Sequence, residues 1–234
     1  MLTTGSAFQH VRSLDLGVTG KYSNPEDCLE QQLTILQIFA QRQTLTRVWL
    51  SRVTFPALES CGGIKVQDII TALGSTVSDM GLYGCLFPSY ADLISFILAF
   101  PHCDSLFVRN CVTNGTNSGE GIFSGLPKHK LSLNVLELSS SSSDGLIIDV
   151  ASLIEAAGLD VSRLSSLTCD VESVTRARSL AKATSTSPIR HFQLTSTKPD
   201  VFRGARKNWV FQWYAEISCF AFKSSSSQWE RSGT

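Results

Sequence analysis

Neither sign of charge is in excess in this sequence. Twenty Lys and Arg residues balance twenty Asp and Glu, and charged residues make up only 17% of the 234. A chain with no net charge creates no long-range field to gather nucleic acid or an anionic membrane, so neither is expected as a partner. Long hydrophobic runs are missing as well. Leu93–Phe100 is one of the longest and Ser95 already breaks it, well short of the ~20 residues that cross a bilayer. Met1–His10 lacks a basic start followed by an apolar stretch, so no secretory signal is expected and the location expected is cytoplasmic or nuclear.

Paired-cysteine spacing is also missing. The seven cysteines (Cys28, Cys61, Cys85, Cys103, Cys111, Cys169 and Cys219) are odd in number and never form C-x-x-C. Several stand where an aliphatic residue would fit the apolar pattern, and a free buried cysteine behaves as a small hydrophobe. Reduced core thiols are therefore expected, in preference to a disulfide or zinc framework.

Catalytic signatures are equally scarce. Leu146-Ile147-Ile148-Asp149 mimics a strand ending in a magnesium-binding aspartate, but no G-x-x-x-x-G-K-[ST] loop exists to hold phosphates. His10, His102, His129 and His191 are scattered, with no partner at i+4 and no ligand cluster around them. No G-x-S-x-G elbow marks a nucleophile. Asn114-Gly115-Thr116 reads as a turn, and Ser187-Pro188 and the serine runs 139–143 and 224–227 read as polar loops. No enzyme, cofactor or metal is expected.

What is present is a repeat. The phrase h-x-x-h-x-h, with h apolar, occurs at Val11/Leu14/Leu16, Leu45/Val48/Leu50, Val77/Met80/Leu82 and Cys103/Leu106/Val108. It recurs at Leu133/Leu136/Leu138, Leu164/Leu167/Cys169 and Ile189/Phe192/Leu194. Its middle residues are 14, 48, 80, 106, 136, 167 and 192, a mean spacing of about 30 residues. Apolar residues at i and i+2 share one face of a short strand. Each gap leaves room for a crossover, and helical stripes are read over Glu26–Arg42, Ile64–Leu73, Ser89–Phe100, Leu146–Ala157 and Glu172–Ala183. Asn24-Pro25 and Ser89 are helix-start signals. Val112–Lys130, with four glycines and Pro127, is expected to be a loop with at most a short turn around Ile122–Leu126. Strand and crossover, repeated in parallel, give an α/β leucine-rich-repeat solenoid. It is a horseshoe arc of about seven irregular repeats, with strands on the concave face and helices on the convex face.

The second and third repeats share a Phe-Pro dipeptide after the strand, Phe55-Pro56 and Phe87-Pro88. The third then runs through Asp92-Leu93, Phe96, Phe100-Pro101, Cys103, Leu106, Val108 and Cys111. From Val11 to Leu194 the chain resembles the leucine-rich-repeat region of fungal F-box-type proteins. The resemblance implies a protein–protein interaction module, the substrate-recognition part of a ubiquitin-ligase subunit. In that family an F-box ahead of the repeats docks a Skp1-type adaptor. Only ten residues precede Val11 and they hold no LP-x-E-[IVL] segment, so the adaptor is expected only if an F-box lies upstream. The alternative expectation is a truncated or degenerate repeat protein without independent function.

Residues 1–197 are assigned to the solenoid and 198–234 to a divergent segment, a candidate cap whose last ten or so residues are expected to be disordered. That segment holds Trp209, Trp213 and Trp229 and leaves the repeat phase, and Trp209–Phe222 fits a strand and a helix equally. In each strand the residues flanking and separating the inward pair point out of the core. Among them Trp49, Tyr83 and Phe107 fall in three consecutive repeats beside Arg47 and Arg109. Aromatic and arginine side chains dominate interface hot spots, so Arg47, Trp49, Tyr83, Phe107 and Arg109 are the expected partner-binding residues.

Overall fold

Each of the seven apolar phrases forms a strand. The computed structural model describes residues 10–17, 25–60, 66–113, 126, 129–139, 154, 158–171, 173–196 and 223–224. Strands β1 (Ser13–Gly17), β2 (Arg47–Ser51), β3 (Asp79–Tyr83), β5 (Ser105–Arg109), β7 (Val135–Ser139), β8 (Ser166–Asp170) and β9 (His191–Ser196) carry the phrases. They lie side by side in that order, all parallel, with β10 (Lys223–Ser224) added beside β9. The register has no offset. Leu14, Val48, Met80, Leu106, Leu136, Leu167 and Phe192 form one row across the sheet. Gaps of 25 to 34 residues between them are absorbed entirely in the crossovers.

The register is held at the strand entrances by a recurring backbone device. The carbonyls of Arg12, Thr46, Ser78, Asp104, Asn134 and Ser165 each accept from two consecutive N–H groups of the next unit, at 2.7–3.1 Å. A second device closes β2, β3 and β5. Arg52, Gly84 and Asn110 follow these strands with φ of 58°, 61° and 54°, in the left-handed region that Gly and Asn tolerate. Their N–H groups extend the ladder to Tyr83, Arg109 and Ser139. The twist sends the next residue, Val53, Cys85 or Cys111, into the core. Just beyond lies a minor two-stranded sheet of β4 (Leu86–Phe87) and β6 (Val112–Thr113), joined by a bridge from Thr54 to Leu86.

Helices α1 (Pro25–Arg42), α2 (Phe55–Ser60), α3 (Val66–Gly74), α4 (Tyr90–Leu98) and α5 (Val174–Ala183) occupy the crossovers. The Ser89 hydroxyl caps α4, accepting from the Asp92 N–H at 3.1 Å and donating to its carboxylate at 2.6 Å. Ser173 caps α5 by accepting from the Arg176 N–H. Such caps satisfy N–H groups that the first helical turn leaves without partners. Apolar stripes such as Leu33/Leu36/Phe39 and Leu93/Phe96/Ile97 join the inward strand residues in one buried cluster. The two Phe-Pro dipeptides place Phe55 and Phe87 with ring centroids 4.5 Å apart, and Phe96 and Phe100 extend that aromatic core.

Two sequence expectations need correction. The segment from Val112 does not begin as a loop, because Val112–Thr113 pairs with β4; two residues are too few to show a period. Helix α2 was not expected, since six residues carry less than two turns of pattern. The readings for 146–157 (apart from Ile154), for the turn at 122–125 and for 198–222 and 225–234 lie outside the described residues. Cys85, Cys103, Cys111 and Cys169 are free and buried, as expected. Among the described residues no helix is long and apolar enough to cross a membrane.

Candidate functional site on the open sheet face

Strand alternation gives the sheet a second face, on which the outward residues remain partly or fully exposed, Gly81 excepted. The in-register pairing sorts these residues into rows. The middle row reads Asp15, Trp49, Gly81, Phe107, Glu137, Thr168 and Gln193. Trp49 and Phe107 stand two strands apart, a backbone separation of about 9.6 Å. Their rings nevertheless stack, with centroids 5.3 Å apart and planes inclined at 27°. Gly81 makes this possible. A β-carbon there would lie 2.5 and 2.6 Å from two indole carbons of Trp49, so the indole lies over bare backbone and buries it. A stacked pair of this kind contributes ~0.5–1.5 kcal/mol beyond its area.

Tyr83 does not join the stack. It belongs to the next row, in register with Ser51 and Arg109, and is 41% exposed. Arg47 stands beside Asp79 at 3.9 Å with more than half of its side chain in solvent, a geometry that contributes little. Arg109 is held more firmly. Its Nε lies 2.6 Å from Glu137 Oε1 and its Nη2 donates to Oε2 at 2.8 Å, a two-pronged pair across the β5–β7 step. The hydrogen bond from Glu137 raises the Arg109 pKa further, which keeps the guanidinium charged.

Beyond Phe107 the face sinks into a depression of about 380 Å³. Phe107 and Arg109 form one side, Val135, Leu136 and Glu137 lie along β7, and Ser166, Thr168, His191 and Gln193 close the far side. Among the described residues no three His, Cys, Asp or Glu side chains gather as a metal site.

Of the five residues expected from sequence, Trp49 and Phe107 are thus brought into contact, Tyr83 stands in the adjacent row, and Arg47 and Arg109 are turned toward acidic neighbours. Sequence reading missed Gly81 as a spacer, Glu137 as the anchor of Arg109, and the polar depression. The signal for the first was present: a glycine at the middle outward position between two repeats that carry aromatics there. Comparison with protein families, curated proteins and solved structures finds no match to this chain.

Proposed function

We propose that the chain is a leucine-rich-repeat module that binds a protein partner through the open face of its sheet and catalyses no reaction. The extended phrases Leu45/Val48/Leu50/Val53, Val77/Met80/Leu82/Cys85 and Cys103/Leu106/Val108/Cys111 follow the L-x-x-L-x-L-x-x-N/C pattern of such repeats. The left-handed residues at 52, 84 and 110 give the last position its physical role. On this reading the parallel strands line the concave face of an arc and the helices its convex face. The observation that carries the function is the Trp49–Phe107 stack over Gly81. It offers a large aromatic surface already fixed before a partner arrives, which lowers the ordering cost of binding.

The resemblance to fungal F-box-type proteins makes that partner a ubiquitin-ligase substrate, with a Skp1-type adaptor engaged where an F-box lies upstream. Affinity purification of the chain and of a Trp49→Ala/Tyr83→Ala/Phe107→Ala variant, with folding checked by circular dichroism, tests the proposal. Partners recovered with the parent chain should be lost with the folded variant. An unchanged partner set overturns it.

A further inference from the structure

The depression beside Phe107 is uneven in its chemistry. Thr168, His191 and Gln193 bring hydroxyl, imidazole and amide donors from β8 and β9. Arg109 adds a guanidinium whose Nε and Nη2 face Glu137, so that the pair does not engage Nη1. Glu137 is the sole acid in the lining, and both of its oxygens are already met by Arg109. A cationic guest would find that carboxylate neutralised. An anionic guest would find a fixed guanidinium and several donors, and charge-assisted bonds of this type are the stronger kind.

We infer, building on the reading that the open face binds protein, that this depression holds the anionic group of an extended partner segment, a carboxylate or a phosphate. An apolar residue of the same segment lies against Trp49 and Phe107. The volume suits a side chain of that size rather than a second domain. From Phe107 to Thr168 is two strand steps, β5 to β7 to β8. That is about 9.6 Å, or roughly three residues of extended chain. The recognised pattern is therefore an apolar residue followed three positions later by an anionic one.

Four peptides test this, Gly-Gly-Phe-Gly-Gly-X-Gly-Gly with X as glutamate, phosphoserine, glutamine or lysine, titrated into the full chain and followed by NMR. The acidic peptides should bind about tenfold or more tightly than the glutamine peptide. That preference should disappear in Arg109→Lys and in Arg109→Gln/Glu137→Gln, the latter leaving no lone buried charge. Thermal melts of both variants confirm that they fold. The tighter of the two acidic peptides identifies the source of the anion. Glutamine or lysine binding as well as glutamate overturns the inference, as does the absence of binding by any peptide. In either case the open-face reading still stands if Trp49→Ala/Tyr83→Ala/Phe107→Ala loses its protein partners, so the two failures are distinguishable.

Discussion

The two faces of this sheet are built from alternate residues of the same strands, yet they are organised on different principles. On the covered face one row runs Leu14, Val48, Met80, Leu106, Leu136, Leu167 and Phe192. Branched, straight and aromatic side chains exchange freely there, because burial asks chiefly for apolar volume. On the open face the arrangement hangs on individual residues. The Trp49–Phe107 stack exists because position 81 has no β-carbon, and Arg109 is fixed because Glu137 stands diagonally across one strand step. The first face is a property of the period. The second is a property of particular neighbours, and that is where specificity resides.

The largest expected effect lies on the covered face. Phe96→Ala removes a fully buried ring that touches Phe55, Phe87 and Phe100. It should cost ~3–5 kcal/mol in urea denaturation, against ~1–2 kcal/mol for Trp49→Ala on the partly exposed face. A reversed order would break the contrast. Next comes Gly81→Ala, which forces the indole aside and should cost ~1–3 kcal/mol with loss of the Trp49 near-ultraviolet signal. In a Trp49→Ala background the same change should turn neutral or stabilising by up to ~1 kcal/mol, since Gly is a poor strand residue. Equal costs in both backgrounds would remove the explanation of the stack.

A double-mutant cycle on Arg109→Ala and Glu137→Ala should yield a coupling of only ~0.5–1 kcal/mol, because the arginine side chain is 42% exposed and solvent screens the pair. Salt should lower it; a coupling that salt leaves untouched would show the pair to be shielded. The smallest effect at neutral pH belongs to Cys103. Burial pushes its thiol from 9.0 up to about 12. Below pH 9 both folded and unfolded chains keep the proton, so stability is unaffected. Between pH 9 and 12 the unfolded chain loses it first, and stability falls as pH rises. Urea melts across that window should show a shallower decline in Cys103→Ala. An identical slope would exclude Cys103 as a contributor.

The fold was legible in the sequence wherever pattern length exceeded chance. All seven strand phrases are strands, and Ser89, readable as a helix start, caps α4 through Asp92. Elements too short to carry a period, α2, β4 and β6, were not legible. The entrance carbonyls are invisible for another reason: the backbone of Arg12, Thr46 or Ser78 accepts equally well whatever its side chain. For the site, residue type alone picked out Trp49, Phe107 and Arg109. Their contacts depend on which strand lies beside which and in what register, and that order emerges only from tertiary pairing. Glu137 is one residue of a diagonal pair, and no spacing within the chain marks it.

The most direct test of the open face as the binding surface is hydroxyl-radical footprinting of the chain, free and with the partner recovered by affinity purification. In the free chain Trp49, Tyr83 and Phe107 should be oxidised while Phe55, Phe87, Phe96 and Phe100 are spared, and partner addition should protect the first three. Unchanged oxidation of those three, with protection appearing instead at the exposed Ile35 and Ile38 of α1, would contradict the account.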